Sequence, residues 1–358
     1  MRFAEGQWPE LQYNRKGVRS DGSTFFRREP DRLAKPEPVG RIDPRVPVLR
    51  LDAASGDPVA LVVQYAGDPC VATSVAQPVI SGDIVGYACQ AAREQLGHPG
   101  LPIIYLQGAK GDVAVKYMFA GEAKARREGA RLGGYIATLA KAAAPIRASA
   151  ATGGSVRFAR RVARLPLQPL PSLDTLRGER AQLDVFFADL DAGRTAGTDV
   201  VVGYDLPTPM PPAARRDYAE RIAEWVGWAQ RTAANGGPVR ASVDVEVVGF
   251  AVGGVNLAAT WAEVFGSVGT AVHERQPDPA TIFACCCGPS WPDDPGMAKW
   301  AYVPGSADLF GNEYMTCFYR FTRFLTQYAA PAGDRIADCA VAVLAELSGT
   351  EAPASGRA

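Results

Sequence analysis

The chain has 358 residues, 47% of them hydrophobic and 21% charged, which is ample for a sizeable core and too apolar for a disordered protein. Its 38 Lys and Arg balance its 38 Asp and Glu, so no bulk field recruits nucleic acid or an anionic membrane. Seven scattered cysteines, three of them adjacent, do not form a secreted disulfide framework and predict reduced thiols; no run approaches the ~18 apolar residues of a membrane span and no signal-peptide core opens the chain, which predicts a cytoplasmic protein.

Residues up to Gly40 are polar and rich in Arg, Gly and Pro, so residues 1–45 read as an extended surface arm with no element longer than a turn. Val46–Leu51 alternates like a strand, and Val59–Ala66 returns as its hairpin partner. The second run is β-branched and nearly all apolar, as in a strand covered on both faces. A helix from about Val85 to Leu96 places Val85, Ala88, Cys89, Ala92 and Leu96 at helical spacing, with Ser81 or Asp83 as its cap. Leu101–Leu106 forms the next strand and runs into the polar loop Gln107-Gly-Ala-Lys-Gly-Asp112. In an open parallel sheet the loops at strand C-termini hold ligands, which would set Asp68 and Asp112 side by side at one mouth.

Gly121–Ala143 reads as a long helix, and Ser155–Leu165 as an antiparallel strand with one wet face. Two polar helices follow, about Ser172–Ala192 and Pro212–Asn235, and residues 166–240 resemble a helical insertion or lid. Ser242–Phe250 and Ala251–Ala259 form a hairpin turning at Gly253 and Gly254. A helix starts at Thr260 and ends near Glu274, Thr281–Cys286 is a buried strand, Asp334–Leu347 is an amphipathic helix, and residues 349–358 are a disordered tail. The fold class is therefore α/β, a mixed β-sheet flanked by helices with an inserted, mostly helical segment, in a single domain over residues 1–348.

Several of these stretches, in this order, resemble the catalytic domain of the neutral/alkaline ceramidases, zinc amidohydrolases that cleave the N-acyl bond of sphingolipids. The family's Asn-Arg-Arg segment is matched by Asn14-Arg15-Lys16, and its Asp-Pro by Asp43-Pro44. Ile80-Ser81-Gly82-Asp83-Ile84-Val85-Gly86-Tyr87-Ala88 matches a family segment without a gap, and Gln107-Gly108-Ala109-Lys110-Gly111-Asp112 matches its Gln-Gly-Ala-x-Gly-Asp loop. Ala262-Glu263-Val264-Phe265 and Ala301-Tyr302-Val303-Pro304 are similar to two further segments.

The resemblance implies metal ligands at Asp68, Glu263 and Tyr302, catalytic residues at Asp112, Arg15 and Asp83, and substrate contacts at Asn14 and Lys110. Departures accompany it. Asp68 stands where the family has a zinc His, the family's Thr-His-Thr-His segment has no counterpart, and Ala114 replaces a polar residue thought to face the scissile amide. An all-oxygen set weakens Zn binding and better suits Mg, Mn or Ca. A purely structural reading stands beside this one: Asp68 caps the loop before Pro69, Glu263 sits in a first helical turn, and Tyr302 packs with its hydroxyl bonded.

Of the two histidines, His98 reads as a surface loop residue, and His273, ten residues after Glu263, falls nearly opposite it on an ideal helix. Cys285, Cys286 and Cys287 cannot all converge from one strand and read as buried small hydrophobes. The glycines around Lys110 could cradle an anion, but their spacing is not that of a P-loop. Three functional expectations follow: a metal-assisted hydrolase of an N-acyl amide with a degenerate or partner-completed metal site; a non-catalytic or half-site subunit that binds no metal; and a thiol hydrolase using a Cys near His273. The resemblance starts late in the family's domain, which predicts a homo-oligomer or a heteromer with a chain supplying the N-terminal half, and no nucleic acid or membrane-spanning partner.

Overall fold

The computed structural model describes residues 1–21, 24–27, 40–73, 79–146, 156–198, 200–202, 204–206, 210–276, 280–287, 301–309 and 314–349. The tail expected beyond 349, the Gly/Pro-rich stretch 288–300 and most of the arm from 22 to 39 lie outside them.

Two mixed sheets pack against each other between layers of helix. In chain order the first part supplies β1 (Arg2–Gln7), β2 (Gln12–Asn14), β3 (Lys16–Val18), β4 (Thr24–Phe26), β5 (Arg45–Asp52), β6 (Pro58–Tyr65), helix α1 (Asp83–Leu96), β7 (Ile103–Gln107), β8 (Val113–Val115), helix α2 (Glu122–Ala142) and β9 (Ala144–Pro145). The first sheet has the order β7-β6-β5-β1-β9. β5 and β6 form the expected hairpin, and β6 runs parallel to β7 with Tyr65 opposite Gln107.

The second part supplies β10 (Val156–Pro166), α3 (Leu173–Asp191), β11 (Val200–Val201), β12 (Tyr204–Asp205), α4 (Pro212–Ala234), β13 (Ser242–Val252), β14 (Val255–Thr260), α5 (Gly266–Arg275), β15 (Thr281–Ala284), α6 (Tyr314–Phe321) and α7 (Ala332–Ser348). Its sheet has the order β10-β13-β14-β15, with β14 and β15 parallel. The β13–β14 hairpin turns at Gly253 and Gly254, whose φ angles of 55° and 95° are those glycine adopts without a Cβ clash.

Alternation along the strands explains the layering. On β5 and β6, Val46, Val48, Leu61, Val63 and Tyr65 pack beneath Ala88 and Ala92 of α1 and Leu132, Ile136 and Ala140 of α2. The opposite face, with Leu49, Leu51 and Val62, meets Val255, Leu257 and Ile282 of the second sheet. The far face of that sheet, including Val245, Val247, Ala258 and Phe283, is covered by Ile336, Ala340 and Leu344 of α7. α1 and α2 approach closely because Gly129 and Gly133 present no side chain: a Cβ at Gly133 would lie 2.4 Å from the Ala88 carbonyl oxygen.

Three expectations need correction. The arm holds a true strand, β1, which pairs along its length with β5 from Arg2–Arg50 to Gln7–Arg45; its polar sequence hides it because pairing partners, not apolar periodicity, stabilise it. The helix expected from Thr260 begins only at Gly266, since Val264 forms a parallel bridge with Val303 and the Phe265 amide donates to the Val303 carbonyl at 3.0 Å. The three cysteines do not share one environment. The strand ends at Ala284, Cys285 is buried, Cys287 is half-buried, and Cys286 is exposed with φ of 57°. All seven cysteines are free thiols.

The α3–α4 pair is tied down on its inner side. Trp225 is 1% exposed and donates from its indole nitrogen to the Phe324 carbonyl at 2.7 Å, and Arg320 of α6 pairs with Glu179 of α3 at 2.6 Å in the interior. No helix among the described residues is long and apolar enough to cross a membrane.

Candidate functional site

The parallel strands β6 and β7 end side by side, so the loops after them, 66–70 and 108–112, share one mouth. The second sheet abuts the same place. The Cys285 amide donates to the Gln107 carbonyl at 2.7 Å, the Cys285 thiol donates to the Gly108 carbonyl at 2.7 Å, and the Gly111 amide donates to the Val264 carbonyl at 2.8 Å. Gly111 permits this approach, since a Cβ there would meet the Val264 carbonyl at 3.1 Å and the Phe265 ring at 3.0 Å. The seam aims the side chain after Ala109 at the segment before α5.

That side chain is Lys110. Its Nζ lies 2.5 Å from Glu263 Oε1 and 3.1 Å from Asp68 Oδ1, with the three side chains 13%, 11% and 22% exposed. Glu263 precedes α5, so the ammonium and not a helix dipole is its partner. Burial works against the charged form of Lys110, yet the adjacent carboxylates of Glu263 and Asp68 outweigh it and hold the pKa well above the ordinary lysine value.

Arg15 forms the back wall. It is 3% exposed, donates from Nη2 to the Gly111 carbonyl at 2.6 Å, and places Nη1 4.0 Å from Asp68 Oδ2. Its guanidinium lies 5.5 Å from the centre of the Tyr302 ring and 5.8 Å from that of Phe26. Tyr302 is brought beside Glu263 by the Val303 amide, which donates to the Glu263 carbonyl at 2.9 Å. Burial, and then the charge of Glu263, raise the Tyr302 pKa, so its hydroxyl keeps its proton. Asp68, Lys110, Glu263, Arg15 and Tyr302 therefore meet at one place, from segments nearly the whole chain apart.

Asp112, Asn14 and Asp83 do different work. Asp112 is 1% exposed; Oδ1 accepts from the Gly266 amide at 2.7 Å and Oδ2 accepts from Asn14 Nδ2 at 2.6 Å. Burial raises its pKa to about 6, against the lowering effect of the Gly266 amide. It fixes the start of α5 to β2 rather than lying open beside Asp68. Asp83, at φ of 52°, accepts from the Val71 amide at 3.1 Å, the Ala72 amide at 2.6 Å and the Ile84 amide at 2.7 Å, tying the loop after Asp68 to α1. Gln64, fully buried below Gly108, has both side-chain polar atoms without a partner among the described residues.

The histidines stand elsewhere. His273 faces the Asp43 and Arg45 side, and burial, followed by the Arg45 charge, lowers its pKa to about 3. His98 is partly exposed in the turn after α1. Sequence reasoning picked Lys110 as an anion cradle and missed its carboxylate partners. A lone lysine between glycines at the end of a buried strand was the available signal, because such an ammonium must be paired. The exposure of Cys286 was missed as well.

A divalent metal fits this arrangement poorly. Bonds of ~2 Å to both carboxylates would put the ion where the Lys110 ammonium sits. At about 4 Å and an effective dielectric near 20, each pair of like unit charges costs roughly 4 kcal/mol, twice that for a divalent ion. Among the described residues no group of three or more His, Cys, Asp or Glu is placed to hold a metal.

The sequence matches no protein-family profile and no curated protein. Solved structures do resemble it. A ceramidase complexed with C2 aligns over 100% of this chain and 55% of its own, at 14% identity and a TM-score of 0.52. A neutral ceramidase from Pseudomonas aeruginosa aligns over 97% of this chain and 52% of its own, at 15% identity and a TM-score of 0.47. The chain thus spans about half the length of these structures. At such identity the likeness concerns the fold, which is ceramidase-like.

Proposed function

We propose that this chain is an amide-bond hydrolase acting at the carbonyl of a linear N-acyl amide without a bound metal. The observation that carries the reading is the meeting of two carboxylates, two cations and a protonated phenol at the C-terminal mouth of parallel strands, where α/β folds place their ligands. Asp68 is the most exposed carboxylate of the set and serves as general base: it takes a proton from water as the water oxygen attacks the acyl carbon. The Tyr302 hydroxyl, kept protonated, donates to the developing oxyanion. When the C–N bond breaks, the proton on Asp68 passes to the leaving amine, which balances the reaction. Arg15 positions Tyr302 and Asp68. Asn14, Asp112 and Asp83 position the loops that carry them.

A second reading, a ligand-binding or half-site subunit without turnover, is favoured by the neutrality of the cluster, in which two carboxylates are answered by Lys110 and Arg15. One experiment decides between them. The purified chain is incubated with a panel of N-acyl amides of varied chain length, with chelator and then with added Zn or Mn, and amine release is followed. Turnover in chelator that is lost in Asp68→Asn supports the hydrolase. No release from any substrate, in either condition, abandons it for the second reading.

A further inference from the structure

We infer that Lys110 is a tethered cation that fills the space between Asp68 and Glu263, keeps divalent metals out of it, and presents its remaining N–H to the substrate carbonyl. The first part stands on geometry alone. One ammonium lies within hydrogen-bond reach of both carboxylates, and the loop carrying it is pinned on both sides: the Gly108 amide donates to the Tyr65 carbonyl at 3.0 Å, and the Gly111 amide to the Val264 carbonyl at 2.8 Å. The backbone that carries the lysine is therefore fixed, and its side chain is held by the two carboxylates. With Asp68, Glu263, Lys110 and Arg15 the cluster sums to zero charge, so the carboxylates offer a divalent ion no net attraction, and an ion bound to both of them would sit against the Lys110 ammonium. Removing the ammonium leaves two facing carboxylates against a single guanidinium, an arrangement that takes up a hard cation through oxygen ligands.

The second part rests on the amide-hydrolase reading. An ammonium has three donors; one is taken by Glu263 Oε1 at 2.5 Å, Asp68 faces it as an ion pair at 3.1 Å, and 13% exposure of the side chain leaves it reachable from the mouth. Aimed at a carbonyl oxygen, a remaining donor and the positive charge stabilise the oxyanion beside the Tyr302 hydroxyl.

Metal-stripped wild type, Lys110→Ala, Lys110→Arg and the Lys110→Ala/Asp68→Asn double variant are titrated with Mn, read by thermal shift and by metal content after gel filtration. Wild type and Lys110→Arg are expected to retain none. Lys110→Ala retains one Mn per chain with affinity at least about 100-fold above wild type, and the double variant loses it. One Mn or Zn per chain in wild type overturns the inference, as does a folded Lys110→Ala that retains no more metal than wild type. If Lys110→Ala fails to fold, Lys110→Gln, of similar volume and uncharged, answers the same question. In turnover assays Lys110→Met lowers kcat by about 100-fold or more with KM little changed, and Lys110→Arg recovers part of it; unchanged kcat in Lys110→Met defeats the second part. A wild type without turnover defeats the hydrolase reading and leaves the metal titration to decide the first part.

Discussion

At the mouth, Asp68 and Glu263 share one ammonium and remain partly open to solvent, whereas on the floor beneath it Asp112 is 1% exposed and held by two neutral donors, the Gly266 amide and the Asn14 side chain. All three are carboxylates on loops that follow parallel strands. The charged partners at the mouth leave the group exchangeable with water and substrate, while the neutral donors below make Asp112 part of the scaffold. A carboxylate's chain position thus says where it is, and its donors say what it can do.

The largest effect is expected on the floor. Asp112→Asn turns an acceptor into an NH₂ donor facing either the Gly266 amide or Asn14 Nδ2, and a buried donor left opposite a donor costs about 3 kcal/mol. A lowered urea midpoint with an unchanged slope is the expected result; a midpoint equal to wild type would mean that the two hydrogen bonds contribute nothing.

The same residue has a pH signature. Between 3.8 and about 6 the unfolded chain has released the proton that the native Asp112 keeps, so its contribution to stability falls as pH rises through that window, by about 3 kcal/mol in full. His273 runs the other way. Between about 3 and 6.5 the unfolded chain holds a proton that the native imidazole lacks, so this contribution rises with pH. Chemical denaturation from pH 4 to 7 should show a steeper upward slope in Asp112→Asn and a flatter one in His273→Gln.

Smaller effects belong to the mouth. Glu263→Gln leaves Lys110 with Asp68 and is expected to cost about 1–2 kcal/mol. Asp68→Asn, at the more exposed end, should cost about 1 kcal/mol or less. If Asp68→Asn were as damaging to folding as Asp112→Asn, the contrast between mouth and floor would collapse.

Local pattern made much of this legible. The β5–β6 hairpin, helices α1, α2, α3, α4 and α7, and the Gly253–Gly254 turn all announce themselves, because apolar spacing and glycine punctuation act over a few neighbouring residues. The meeting of the 66–70 and 108–112 loops also follows from sequence, since parallel neighbours must end together. β1 was not legible, because its hydrogen bonds come from β5 and its own side chains carry little pattern. Nor was the start of α5, because Glu263, Val264 and Phe265 are drawn out of the helix by Val303, nearly 40 residues on. The sequence by itself determined helices α1, α2, α3, α4 and α7, the β5–β6 and β13–β14 hairpins and the polar loop at the end of β7. Only the tertiary structure decided that Lys110 reaches Asp68 and Glu263, and that Asp112 turns inward, because an ion pair depends on which segments of chain the packed sheets bring within a few ångströms of one another.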